Sequence, residues 1–349
     1  MRMTRATLDR AVQAGILDAG QSDALWSFLA ESDAETPRFK PSHILYYLGG
    51  LIAIGAMTLF MTLGWEQFGS VGLLWISACY CVLAIALTEF FLQKKHLAIP
   101  AGITATLAIC MVPLATYAIQ HLLGMWPDDG RYGYRDYHVY IDWRWIEMEL
   151  ITLAAGAVAL WRYRLPFMVM PIAVTLWYMS MDLVPFLLGG DSYEFFSDTG
   201  KHISMYFGLV MTLLAFWIDM RTVQSKDFAF WLYIFGVLTF WGGLTSLDSD
   251  SEFNKFLYCC LNVLMIAVGA ALSRRVFAVF GGLGVAFYLG HLSYSVFKDS
   301  LLFPVALTAI GFAVIGAGVW WQRHEDSIGR ALRSLLPQGL SELIVQRAE

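Results

Sequence analysis

The chain has 349 residues, of which 58% are hydrophobic and 15% charged, with a mean hydropathy of +0.58 and a formal net charge of −5. A soluble globular protein carries about 45–50% apolar and about 25% charged residues, so this composition excludes an ordinary soluble domain. The slight acidity also gives no basic surface for nucleic acid, and no nucleic-acid partner is expected.

Residues 1–40 read as a cytosolic helical hairpin and linker. Two short helices are expected, Thr4–Ala14 and Ala19–Leu29, around Gly15 and Gly20, with Thr4 as N-cap. Leu8, Ile16, Leu17, Leu25 and Phe28 form a small apolar set. So small a core is not stable alone, so the hairpin is expected to rest on the membrane domain or on a cytosolic protein partner at residues 4–29. No short apolar segment with a small-residue cleavage site precedes the first long apolar run, so no cleaved signal peptide is expected.

From residue 41 to 323 the chain reads as a membrane domain. A helix needs ~20 apolar residues to cross ~30 Å of hydrocarbon. Ten runs approach or exceed that length: 43–63, 71–93, 97–122, 146–161, 165–188, 203–220, 228–247, 256–273, 276–297 and 303–321. The fourth is shortest, and its start slides back readily toward Trp143. Barrel strands would alternate over ~10 residues, and these runs do not. The expected fold is an all-α integral membrane protein of about ten spans.

Cytoplasmic loops are enriched in Lys and Arg. Counting alternate loops, Arg131, Arg135, Arg144, Lys201, Lys255 and Lys298 fall on one side, and the other 17 of the 23 basic residues fall on the side of the N-terminus. Both termini are therefore expected in the cytoplasm.

The longest interval, 123–145, is expected outside. It contains "YGYRDYHVYIDWRW", in which Tyr137, Val139, Ile141, Trp143 and Trp145 recur at period two, as in a short extended strand. The rings suit an aromatic belt at headgroup level. The alternative is an external lid made by Tyr137, Trp143 and Trp145. After the last span, residues 324–349 read as a cytosolic amphipathic tail on the membrane surface.

Internal repetition is faint. Even-numbered spans finish alike, with "GAVALWRYR", "GAALSRR" and "GAGVWWQR". The matches keep one membrane direction, so repeated helical hairpins in parallel are expected rather than an inverted repeat.

No HExxH or GxSxG occurs, and no cofactor or metal is expected. The glycine cluster "FGGLGVAFYLG" lies inside a span without a preceding strand, so it reads as close helix packing rather than a phosphate loop. The five cysteines, Cys79, Cys81, Cys110, Cys259 and Cys260, form no CxxC pair and read as small buried hydrophobes.

The informative residues are polar groups at membrane depth, where placement is costly. Asp182 lies in the outer third of span five, with Pro185 expected to open the helix after it. His291 lies at similar depth on span nine, and His121 ends span three. Glu147 and Glu149 open span four, and Asn262 lies in span eight. Asp182, His291, His121, Glu147 and Glu149 are the candidate ligand- or ion-binding residues of an outward polar vestibule. Glu89 and Asp219 are expected to pair structurally with Lys94 and Arg221.

"LYYLGGLIAIGAMTLFMTLGWEQFG", after the N-terminal hairpin, carries Gly49, Gly50, Gly55, Trp65 and Glu66, preceded by Gly15, Ile16, Gln21 and Leu25. In these residues, and in "RRVFAVFGGLGVAFYLGHLSYSVFKDSLLFP", the chain resembles bacterial polytopic membrane proteins of a domain-of-unknown-function family. The resemblance implies a bacterial cytoplasmic (inner) membrane location and transfers no catalytic residue. The expected function is a transporter or permease for a small solute or cation. The alternatives are a non-catalytic scaffold or sensor that recruits a partner through the N-terminal hairpin, and an intramembrane enzyme acting on lipid with outer carboxylates as acid or base.

Overall fold

The computed structural model describes residues 8, 12–13, 15–26, 41–126, 143–188, 197–221, 227–247, 249–272, 274–292 and 294, with isolated positions between 304 and 319. Eight α-helices of the membrane domain are described: α1 (Pro41–Glu89), α2 (Ala98–Leu122), α3 (Trp143–Tyr163), α4 (Val169–Leu188), α5 (Asp198–Arg221), α6 (Phe230–Ser246), α7 (Glu252–Ala271) and α8 (Arg275–His291). A π-turn at Phe90–Lys94 extends α1, and a 3₁₀ turn at Pro166–Met168 precedes α4. No strand occurs among the described residues. The helices stand where the first nine apolar runs predict them.

Five helical segments are long and apolar enough to cross a membrane: Phe68–Lys94, Ala98–Leu122, Pro166–Leu183, Asp198–Arg221 and Glu252–Ala271. Phe230–Ser246 and Arg275–His291 are apolar but shorter. Large apolar side chains cover the outside of the bundle, among them Trp75 at 69% and Val210 at 65% exposure. So much exposed apolar surface is tolerable in lipid and not in water.

The first two expected spans are joined more tightly than the sequence suggests. The interval between spans 43–63 and 71–93 is helical up to Phe68, and the chain reverses at Gly69 alone, where φ is 62° and ψ is −163°. Only glycine adopts that conformation without strain. Ser70 faces His121, Thr88 bonds Thr104, and Gly50 stands against Ile103. Segments 41–68 and 70–89 therefore run in opposite directions along α2. Here the end holding Gly69, His121 and Trp143 is termed the aromatic end, and the end holding Lys94, Arg162 and Arg274 the basic end.

Two further expectations are corrected. Trp143 and Trp145 lie in the first turn of α3, not in a strand; Tyr137 lies outside the described residues. The helix begins at Trp143, where the fourth run could slide back, so these two tryptophans are helical residues. Likewise α4 continues through Pro185 to Leu188 rather than opening there. A proline removes a single intrahelical N–H, which a helix packed by its neighbours tolerates.

Backbone contact at glycine holds the later helices in pairs. A Cβ on Gly208 would lie 2.1 Å from the Phe240 backbone nitrogen, and one on Gly243 2.7 Å from that of Met205, so α5 and α6 touch along their length. On α8, a Cβ at Gly281 would lie 2.5 Å from the Asn262 carbonyl oxygen, and one at Gly284 1.9 Å from its side-chain oxygen. The glycine cluster is thus the packing seam of α7 and α8. Asn262, fully buried, accepts from Trp241 Nε1 at 3.1 Å and donates to Tyr258 O at 2.8 Å, so it is satisfied locally.

At the basic end Arg274 ties three elements together. Its Nε and one terminal nitrogen donate to both oxygens of Asp219, at 3.2 and 2.6 Å, and the other terminal nitrogen pairs with Asp227. Tyr233 donates to Asp219 at 3.3 Å, and the guanidinium lies 5.2 Å from the Tyr233 ring centre. Asp219 therefore pairs with Arg274, not with Arg221, which stacks on Trp217. Glu89 bonds Arg162 at 3.3 Å and Tyr163 at 3.0 Å rather than Lys94. Both partners are non-local, which sequence distance does not reveal.

Gly208→Ala is expected to lower the stability of the detergent-solubilised protein by about 1–3 kcal/mol, since the α5 and α6 backbones must separate. Gly242→Ala, with nothing within 4 Å of its Cβ, is expected to be neutral or to gain up to about 1 kcal/mol from helix propensity. Thermal unfolding followed by circular dichroism measures both, and equal effects at the two sites would contradict the packing described.

Candidate functional site: a buried acidic pair

The residues that matter lie where α2, α3 and α4 meet below the aromatic end. Met148 of α3 packs with Leu73, Met111, Tyr117 and Ala118, which fixes α3 against α1 and α2. Gly156 lets α3 approach Ile172 of α4, because a Cβ there would lie 2.8 Å from its Cγ1. With α3 wedged on both sides, the residue after Met148 points into the protein. That residue is Glu149.

Glu149 and Asp182 are each only 7% exposed. Their carboxyl groups bear on one another, and among the described residues no other charge bears on Glu149. Neither Glu149 oxygen has a hydrogen-bond partner. Two carboxylates are both acceptors, so a bond forms between them only when one carries a proton. Glu149 is six positions past Trp143, and Asp182 six before Leu188. At 1.5 Å per residue, each lies ~9 Å inside its helix end. In a medium of effective dielectric ~20, two like unit charges 4 Å apart repel by about 4 kcal/mol, beyond the cost of removing them from water. A proton or a cation shared by such a pair would relieve that repulsion.

A polar cap lies between the pair and the aromatic end. Gln120 of α2, 2% exposed, donates to Glu147 Oε2 at 3.0 Å and to the Arg144 carbonyl at 3.1 Å. It accepts from Trp126 Nε1 at 3.3 Å. Arg144 closes the circuit: its guanidinium lies 4.9 Å from the Trp126 ring centre and donates to the Met125 carbonyl at 2.7 Å. Trp126 in turn meets Tyr117 edge-on at 5.0 Å. This cap binds the two ends of the long interval together at residues 120–126 and 143–147.

The five candidate residues do not form one vestibule. Glu149 and Asp182 meet. Glu147 belongs to the cap, one hydrogen bond from Gln120. His121 bonds Ser70 at 3.2 Å on the α1 side and stacks loosely on Tyr117. His291 is elsewhere, at the end of α8, 3.1 Å from both oxygens of Glu252 on α7. It is the last residue of its helix, whereas Asp182 lies six residues inside α4, and its partner on α7 was not legible in the sequence. Of the aromatic lid residues, Trp143 is half exposed at the helix start, while Trp145 packs on the cluster around Met148.

Sequence reasoning passed over Gln120, Trp126 and Arg144. Gln120 alone carried a signal, as an amide within an apolar run. No group of three or more His, Cys, Asp or Glu suited to a metal occurs among the described residues.

Several long apolar helices around a buried acidic pair fit a multi-pass helical membrane protein. No family model, curated protein or solved structure matches the chain.

Gln120→Leu is expected to leave Trp126 Nε1, the Arg144 carbonyl and Glu147 short of partners and to cost about 1–3 kcal/mol. Thermal unfolding of the variant, with a red shift in tryptophan emission, would report the loosened cap. An unchanged midpoint and spectrum would show that the amide is dispensable there.

Proposed function

We propose that this chain is a transporter-like protein of the bacterial cytoplasmic membrane that moves a small solute or ion through the Glu149–Asp182 site. The carrying observation is that acidic pair, buried in apolar helices with no cationic partner among the described residues. A purely structural carboxylate in lipid is paired with a base, as Asp219 is with Arg274. An unneutralised pair is a binding site awaiting its positive ligand. The resemblance to the domain-of-unknown-function family agrees with this location and adds no residue roles.

The same reading has about ten spans and both termini in the cytoplasm, with the basic end inward and the aromatic end outward. Lys94, Lys95, Arg162, Arg164, Arg221, Arg274 and Arg275 all gather at the ends of helices on one side, which supports it. The acidic pair then opens toward the outside through the Gln120–Arg144 cap.

Two measurements test these statements. A ligand present at a hundred times its Kd stabilises a folded protein by about 2.7 kcal/mol. A thermal-shift screen of ions and small metabolites in detergent is expected to find ligands that stabilise the wild type and not Asp182→Asn. A flat screen, together with loss of function on deleting residues 1–35, would favour a scaffold instead. For orientation, a C-terminal green fluorescent protein is expected to fluoresce in bacterial cells, and a C-terminal alkaline phosphatase to be inactive. The reverse pattern would invert the topology.

A further inference from the structure

We infer that Glu149 and Asp182 hold a single exchangeable proton between their carboxyl groups, so that the ion bound at this site is H⁺. The inference deepens the transporter reading and rests on it for its physiological meaning, but the proton itself is measured without any transport.

The geometry carries it. Glu149, more than nine-tenths buried, has no hydrogen-bond donor on either oxygen, and what faces it is a second carboxyl group. With both groups ionised, the two buried Glu149 oxygens would face a second anion and have no donor among the described residues. With one proton, Glu149 and Asp182 become a donor and an acceptor, the net charge falls to −1, and one O–H···O bond forms. With two protons the charge vanishes, but the acid that accepts has its own O–H to place. One proton is the state that satisfies the pair with the fewest groups.

Among the described residues the neighbouring charges are otherwise engaged. On α3, Glu147 accepts from Gln120 and Arg144 stacks on Trp126. On α2, His121 bonds Ser70. On α5, which packs on α4, Lys201 pairs with Asp198 at 3.2 Å and His202 bonds the Asp198 carbonyl. On α6, the one titratable side chain is Tyr233, bound to Asp219 at the basic end. Cys110 and Tyr117 of α2 are neutral groups at neutral pH. The nearby hydroxyls of Thr152 and Ser180 donate to the Met148 and Trp177 carbonyls of their own helices. Calcium takes about 6–8 oxygen ligands and zinc about four ligands, and no group of three or more His, Cys, Asp or Glu suited to a metal occurs among the described residues. A proton needs only the two carboxyl groups present.

The test is infrared spectroscopy of the purified full chain in lipid nanodiscs, in potassium buffer, between pH 5 and 9. A protonated carboxyl C=O band equivalent to one group is expected at pH 7. It should move on ¹³C-glutamate or ¹³C-aspartate labelling, and it should be lost in Glu149→Gln/Asp182→Asn. Absence of the band in wild type at pH 7 would overturn the inference. So would a carboxylate band that shifts on exchanging potassium for sodium, which would name a metal cation instead. Should the double variant fail to fold, labelled wild type alone decides. A band present in a protein that shows no solute- or pH-driven flux in proteoliposomes would leave the proton in place and sink the transporter reading.

Discussion

In lipid, two helices gain little by hiding apolar side chains from each other, because the surrounding acyl chains are equally apolar. Association then depends on close backbone approach and on polar groups finding partners inside the protein. Both halves of that constraint are visible here. Gly208, Gly243, Gly281 and Gly284 bring backbones to distances that no Cβ would allow. Asn262 and Trp241 complete their hydrogen bonds beside the last two of these, and Thr88 bonds Thr104 between α1 and α2. A side chain at Gly281 or Gly284 would displace Asn262, so the bonds this amide makes depend on the small residues facing it.

The charged residues obey the same constraint at the two ends. Arg274 satisfies Asp219 with two parallel bonds and engages Asp227, fixing the start of α8 against the end of α5 and the turn before α6. Bidentate geometry makes this a positional device and not only an electrostatic one. At the other end the Gln120–Arg144–Trp126 circuit does comparable work with one cation, one amide and one indole. At the basic end Glu89 of α1 bonds Arg162 and Tyr163, so α3 is tied near both of its ends. The direction in which Glu149 points is therefore set by contacts some distance from it, chiefly Met148 on one side and Gly156 on the other.

Much of this was legible from residues alone, and the limits follow from physics. Apolar runs of some twenty residues announced the helices because span length is a property of the bilayer. The glycines of "FGGLG" read correctly as packing because their context lacked a strand. Gly69 was harder: a turn in a membrane protein usually occupies several residues, and only the positive φ at one glycine lets the reversal be that short. The strand at 137–145 failed for Trp143 and Trp145 because alternation over five residues carries little weight beside a helix that follows immediately. Partner identity was the least legible feature. Asp219 with Arg274 and Glu89 with Arg162 are 55 and 73 positions apart, so only the fold could join them. The same holds for Glu149 and Asp182, each visible singly as a costly residue, but not as a pair.

That pairing changes what each residue means. A lone carboxyl group in hydrocarbon stays neutral by keeping its proton and needs no further explanation. Two that face one another are different, since the proton on one is also the hydrogen bond of the other. Losing it costs both a charge in low dielectric and the only bond the pair makes. The pair is thus bistable between a bonded, singly charged form and a repelled, doubly charged form. Glu149 and Asp182 belong to adjacent helices, α3 and α4, which also approach each other at Gly156 and Ile172. A proton held by this pair therefore sits between two helices, beside the cap that Gln120, Arg144 and Trp126 form at the aromatic end.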